Sequence, residues 1–308
     1  MVDLLVMLAA IPVAALGGAA FLDAVLGAAQ RLRLPRMLVA TTLAAFATSS
    51  PEFAVSSLAA LAGRPEIGLG DALGSNVVNL GLILGLALLY GAMAAHFEAF
   101  RRDFALALAV PGLTLLLALD GSLSRADGTL LLVLFAVWMI LVTRQALGHR
   151  RGGVAESDPA PSPVRIWLLL AAGLGGLLLA GRLFVSGASG LAATLGVSSY
   201  LIGVTVVALG TSLPELVTML LSRLRGHDDV GLGTLLGSNL FNGLAIVGTA
   251  AAITPIRAPL AGVAAALAFG ALTVVMVVPR AGRLSRRRGV SLLTAYAAFV
   301  VVSAAPAA

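Results

Sequence analysis

Two glutamates, Glu52 and Glu215, stand in otherwise apolar stretches, each directly after a proline and a short run of hydroxyl residues. Thr48-Ser49-Ser50-Pro51-Glu52 returns 163 positions later as Thr211-Ser212-Leu213-Pro214-Glu215. At equal distance from each follows a second polar cluster, Gly74-Ser75-Asn76-Val77-Val78-Asn79 and Gly237-Ser238-Asn239-Leu240-Phe241-Asn242. Aligned without a gap from Ala45 to Asn79 and from Ala208 to Asn242, 16 of 35 positions are identical, so the chain carries an internal duplication.

The duplicated donors are all oxygen. They comprise the two carboxylates, the hydroxyls of Thr48, Ser49, Thr211, Ser212, Ser75 and Ser238, the amide oxygens of Asn79 and Asn242, and nearby carbonyls. Without sulfur or imidazole, such a set suits hard cations such as calcium and sodium rather than zinc or copper. Two facing glutamates repel each other, which a proton or a divalent cation relieves. Mutually exclusive occupancy by different cations is what an exchanger requires, and a passive channel could use the same ligands.

Proline in mid-helix removes a hydrogen bond and clashes with the preceding turn. Each helix is therefore predicted to break just upstream of its glutamate, freeing carbonyls around 45–48 and 208–211. The competing reading is a capping box, with Ser49 or Ser212 at the N-cap and glutamate at the third helical position. An acid at membrane depth is expensive and by default functional, and two copies favour the ligand reading. Ser75 and Asn79 are four apart, as are Ser238 and Asn242, so each pair shares a helical face. Gly68, Gly70, Gly74, Gly231, Gly233 and Gly237 are expected to let neighbouring backbones approach closely.

The elements that position these residues are membrane helices. The 308 residues are 59% hydrophobic and 11% charged, with mean hydropathy +1.04, outside the range of soluble globular chains. Apolar runs of roughly 20 residues recur. They predict an all-α integral membrane protein with ten spans, near 4–28, 37–62, 67–91, 104–120, 127–147, 166–192, 199–223, 229–253, 258–279 and 289–305. The amino terminus reads as a first span rather than a secretory signal. Residues 148–165 are polar and rich in proline and glycine, a linker between five-helix repeats at 1–147 and 166–308.

All 20 basic residues are arginine. Sixteen fall in the loops after odd-numbered spans, and only Arg64, Arg125 and Arg257 in the opposite loops. This distribution speaks for topology rather than nucleic-acid binding, placing the linker in the cytoplasm and both termini outside a plasma membrane. Five spans per repeat, an odd number, give the copies inverted topology, an arrangement common in secondary transporters. There are no cysteines, and the three histidines are scattered without a zinc pattern. The buried polar set thus lacks the base or metal ligands of an intramembrane hydrolase, and no enzyme activity, cofactor or obligatory protein partner is expected.

At these motifs the sequence resembles the cation/calcium exchanger superfamily, in particular prokaryotic-type sodium/calcium exchangers. The resemblance spans both repeats and the linker. It implies that Glu52 and Glu215 are the central calcium ligands, joined by main-chain oxygens of Thr48 and Thr211. Ser49, Ser212, Ser75, Ser238 and the carbonyls of Ala45 and Ala208 would form flanking sodium sites, and Asn79 and Asn242 would complete the centre. Spans 1 and 6 would slide to alternate access while several sodium ions move against one calcium. Ala47 and Ser50 depart from the family's usual glycine and apolar residue, so the first copy is the more diverged. Asn242 stands where some relatives have aspartate, which points away from potassium co-transport. The G-N-x-x-E-H signature of proton-coupled relatives is absent, which counts against calcium/proton exchange, the alternative reading. Magnesium and manganese remain open as substrates on the residues alone.

Overall fold

The apolar runs fold as helices. The computed structural model describes residues 2–95, 97–151, 161–194, 208–258, 260–279 and 282–304. In chain order the elements are α1 (Val2–Leu32), α2 (Arg36–Thr48), α3 (Ser50–Leu61), α4 (Pro65–Leu89), β1 (Met93–Ala94), α5 (Phe97–Leu117), β2 (Ser122–Leu123) and α6 (Arg125–Arg151). There follow α7 (Pro163–Thr194), α8 (Ala208–Thr211), α9 (Leu213–Leu224), α10 (Asp228–Ile253), β3 (Ile256–Arg257), α11 (Leu260–Val277), β4 (Arg283–Leu284) and α12 (Arg286–Ala304).

Among the described residues six helices are long and apolar enough to cross a membrane, or seven when α2 and α3 count as one span bent by 46°. The chain is thus an all-helical, multi-pass membrane protein. The expected span at 199–223 is described only from Ala208 onward, and α11 is apolar but shorter than the others. The linker expected at 148–165 is narrower, because α6 runs to Arg151 and α7 starts at Pro163. Residues 152–160 lie outside the described residues. Arg182, which belongs to no loop, falls within α7.

The duplication extends to the element boundaries. Adding 163 to the limits of α3 gives those of α9, and the same shift carries β1 onto β3. It also superposes two π-helical turns, Val78–Ile83 inside α4 and Phe241–Ile246 inside α10. Such wide turns are rare in α-helices and concentrate at functional sites. Here they begin one residue before Asn79 and Asn242.

The helices gather into two compact units, each drawn from both copies. The first comprises Met1–Thr48 and Leu141–Thr234. In it α1 packs along α7 at backbone distance. A Cβ at Gly17 would lie 2.9 Å from the Leu177 nitrogen, and one at Gly173 would overlap the Phe21 nitrogen. Phe21, Leu22 and Leu177 are fully buried beside Val39, Ala40 and Ala44 of α2.

The second unit comprises Ser49–Ile140 and Leu235–Ala308. Here α3 packs on α4, and both pack on the Phe241–Ile246 turn. The four strands pair across the copies, β1 with β4 and β2 with β3, both antiparallel. Each copy's first strand thus takes the other copy's second, the reciprocity a twofold relation produces.

The glycines of the motif behave unequally. A Cβ at Gly68 would lie 2.8 Å from Ser56 Cβ, one at Gly231 2.6 Å from Met219 Sδ, and one at Gly233 3.1 Å from Thr41 Oγ1. Gly70 and Gly74 have nothing within 4 Å, so the close-approach role expected for them does not hold. Close backbone approaches also involve glycines outside the motif, Gly17 with Gly173 and Gly128 with Gly248.

This difference gives a stability test on one helix. Gly173→Ala should cost about 1 to 3 kcal/mol through overpacking. Gly175→Ala, at a position with open space on the same helix, should be neutral or slightly stabilising because alanine is the better helix former. Thermal unfolding of the two variants in detergent measures both.

Candidate functional site

Both helices carrying a glutamate start the same way. Pro51 and Pro214 have no N–H to offer the carbonyls four residues back, those of Ala47 and Gly210. The chain accordingly leaves the helix at Ser49 (φ −86°, ψ 8°) and Ser212 (φ −84°, ψ 12°), then restarts as α3 and α9. The break therefore falls where the prolines predict it.

The serine half of the competing capping box does not form. Ser49 and Ser212 occupy the N-cap positions, yet neither side chain makes the capping hydrogen bond. The Ser212 hydroxyl is buried with no hydrogen-bond partner. A serine normally stabilises a helix start through that bond, so this hydroxyl is available for something else.

In the first unit, Glu215 and Ser212 are each 1% exposed, and Thr48 and Ala45 are buried. Thr48 Oγ1 donates to the Ala45 carbonyl at 3.3 Å, using one of that oxygen's two lone pairs. Thr211 is half-buried. The side chain of Ala208 lies outside the described residues.

In the second unit, three packed elements carry site residues: α3 with Ser49 and Glu52, α4 with Ser75 and Asn79, and α10 with Ser238 and Asn242. All six are buried, Glu52 to 1% exposure. Phe53, the residue after Glu52, meets Phe241, the residue before Asn242, with ring centroids 6.0 Å apart. At the far end of α3, Thr254 Oγ1 donates to the Ala60 carbonyl at 2.9 Å.

Four hydrogen bonds tie α4 to α10 around the asparagines. Asn76 Nδ2 donates to the Asn239 carbonyl at 3.3 Å and Asn239 Nδ2 to the Asn76 carbonyl at 3.1 Å. Asn79 Nδ2 donates to Asn239 Oδ1 at 3.0 Å, and Asn242 Nδ2 to Asn76 Oδ1 at 3.1 Å. The amide oxygens of Asn79 and Asn242 are left buried with no partner, as is Ser75 Oγ. A buried polar atom without a partner costs about 1 to 3 kcal/mol and calls for an explanation such as an ion. These oxygens are acceptors on helices packed beside Glu52, the donor set of a hard-cation site.

Among the described residues no three His, Cys, Asp or Glu side chains cluster to hold a metal. A cation here would depend on hydroxyl, amide and main-chain oxygens as well as carboxylates.

Similarity to known proteins agrees with this chemistry. The family described as sodium/calcium exchanger protein matches residues 2–144 and 165–305, both repeats almost in full. The chain belongs to the sodium/calcium exchanger family.

Relatives of this exchanger include CaxA of Alkalimonas amylolytica, 36% identical over 282 residues, covering 87% of this chain and 88% of the relative. The inner membrane protein YrbG of Escherichia coli is 34% identical over 72% of this chain and 71% of its own length. Sodium/calcium exchanger MaX1 of Methanosarcina acetivorans is 25% identical, with coverage of 89% and 90%. Among solved structures, the sodium-calcium exchanger NCX_Mj aligns with TM-score 0.82 and 26% identity over 97% of this chain and 98% of its own. The family is one of cation exchangers, so the chain is a transporter and not an enzyme.

Sequence reasoning passed over Asn76 and Asn239, although both lie in the duplicated cluster and are identical in the two copies. Periodicity put the ligand pair at 75 and 79 and gave the residue between them no role. It also passed over Asp71, an acid within α4 whose Oδ2 is buried with no hydrogen-bond partner and whose counterpart in the second copy is Thr234.

Because the Ser212 hydroxyl makes no cap bond, Ser212→Ala should leave thermal stability within about 0.5 kcal/mol, against about 1 kcal/mol for a working serine cap. In the same variant cation transport should weaken several-fold. A melt lowered by the full cap value, with transport unchanged, would return the residue to a structural role.

Proposed function

We propose that this exchanger moves sodium against calcium across a plasma membrane by alternating access, with Glu52 and Glu215 ligating one calcium ion. The observation that carries the reading is one arrangement found twice. A glutamate of 1% exposure stands at the third position of a helix restarting after a proline-dependent break. Taking a carboxylate out of water costs several kcal/mol per ion, and a doubly charged cation offsets both at once. In this reading the main-chain oxygens of Thr48 and Thr211 and the amide oxygens of Asn79 and Asn242 complete the central site. Ser49, Ser212, Ser75, Ser238 and the carbonyls of Ala45 and Ala208 hold sodium beside it. Occupancy by one ion type then excludes the other, which couples the two fluxes.

Two relatives support the choice of ions: MaX1 carries the name sodium/calcium exchanger, and NCX_Mj structures come from soaks with sodium together with calcium or strontium. For the architecture we propose ten membrane helices in two inverted five-helix repeats, 1–147 and 166–308, joined by a cytoplasmic linker, with both termini outside. The arginine bias and the repeated element boundaries support it, and the inner-membrane relative YrbG supports the location.

In reconstituted vesicles, calcium uptake should follow an outward sodium gradient and run against the calcium gradient. It should fall to background in Glu52→Gln and in Glu215→Gln. Uptake that ignores sodium and tracks a pH gradient would favour calcium/proton exchange, and purely downhill uptake would favour a channel.

The absence of native cysteine makes the orientation directly measurable. Ala155→Cys in the linker should react with a membrane-impermeant maleimide in inside-out vesicles and stay unlabelled in intact cells. Labelling from the cell exterior would place the linker on the other face.

A further inference from the structure

An asparagine amide is nearly symmetric in shape but not in polarity, since one end only accepts hydrogen bonds and the other only donates. Which end faces a cation decides whether the residue is a ligand or an obstacle. The four bonds around Asn76 and Asn239 settle that question from atoms whose own polarity is fixed.

A main-chain carbonyl can only accept. The end of the Asn239 side chain lying on the Asn76 carbonyl is therefore its NH2, and the end facing Asn79 is its oxygen. An oxygen there needs a donor, so Asn79 presents its own NH2 and turns Oδ1 away, to the position where that oxygen is buried without a partner. The mirror chain runs from the Asn239 carbonyl through Asn76 to Asn242, with the same outcome for Asn242 Oδ1. If either ligand amide rotated by half a turn, two oxygens would meet across the bond and an NH2 would replace the presented acceptor.

We infer that Asn76 and Asn239 are positioning residues that lock the polarity of the two ligand amides, each acting on the opposite copy: Asn239 presents the Asn79 oxygen, and Asn76 presents the Asn242 oxygen, to the transported cation. The inference rests on the reading above that these oxygens ligate the ion. It assigns function to the two asparagines that spacing left idle. It also makes each ligand amide depend on the other repeat rather than on its own helix, so neither copy can form its part of the site alone.

The crossing distinguishes this role from helix glue. Glue at this point would disturb both ligand amides alike, whereas the lock couples Asn239 to Asn79 and leaves Asn242 anchored, because Asn76 keeps its bond to the Asn239 main chain in an alanine variant. Calcium binding to the purified, full-length protein, measured by titration calorimetry alongside a thermal melt, reads this as two double-mutant cycles. Asn79→Ala and Asn239→Ala should each weaken calcium binding by about tenfold, in the range of outer-shell substitutions at metal sites. Their double variant should be little weaker than the weaker-binding single. Asn239→Ala combined with Asn242→Ala should instead multiply the two losses.

Equal coupling in both cycles, or a lowered melt for Asn239→Ala with unchanged calcium affinity, overturns the inference. Glu52→Gln separates it from the functional reading. Calcium binding that survives Glu52→Gln, or is missing in the unsubstituted protein, removes the calcium site and this inference with it. Binding lost in Glu52→Gln without the crossed coupling removes the lock alone. If Asn239→Ala does not yield folded protein, Asn239→Ser carries the same cycle. Its side chain keeps a hydroxyl near the helix but is one bond too short to bridge from the Asn76 carbonyl to the Asn79 amide.

Discussion

A carboxylate removed from water must be compensated, and this constraint orders the rest of the molecule. Within apolar helices the chain provides two glutamates of 1% exposure. Their flanking residues interrupt helices or present oxygen atoms: prolines at which each helix breaks and restarts, a serine at a helix start that does not cap, and asparagines on π-helical turns. None of these features helps a helix to form. The Ser212 hydroxyl and the Asn79 and Asn242 amide oxygens are left buried without a partner, which within a membrane protein is tolerable only where a cavity or an ion uses them.

Stability is drawn from elsewhere. Close backbone packing of α1 on α7 and of α6 on α10 relies on glycines outside the polar motifs, Gly17, Gly173, Gly128 and Gly248. The short strand pairs join the two copies through main-chain hydrogen bonds. Much of the scaffold therefore rests on residues other than the buried acceptors of the site, although the asparagines also tie α4 to α10. The duplication multiplies the arrangement: the strands, the π-turns Val78–Ile83 and Phe241–Ile246, and the asparagine bonds occur in reciprocal pairs.

Much of this was legible in the sequence because its causes are local. Apolar run length located most of the described helices to within about four residues, with α5 starting at Phe97 rather than 104, and proline chemistry located the breaks at Ser49 and Ser212. What stayed hidden depends on partners distant in the chain. The roles of Asn76 and Asn239 arise from bonds to residues about 160 positions away, which no helical periodicity encodes. The π-turns follow from backbone hydrogen-bond choice rather than composition. Gly70 and Gly74 show the converse error, since a small residue in a motif need not have a neighbour. Seven of the ten expected spans meet the criteria of length and hydropathy among the described residues, counting the bent pair as one; α12 opens on three arginines and α11 is short.

The central claim is that glutamates from the two copies serve a single cation. An experimental structure with strontium soaked in as an anomalous scatterer tests it most directly. The account predicts one strong anomalous peak with carboxylate oxygens of both Glu52 and Glu215 in its coordination shell, at about the 2.3 to 2.6 Å typical of calcium-type sites. Separate peaks that each touch one glutamate, or a peak that touches neither, would contradict it.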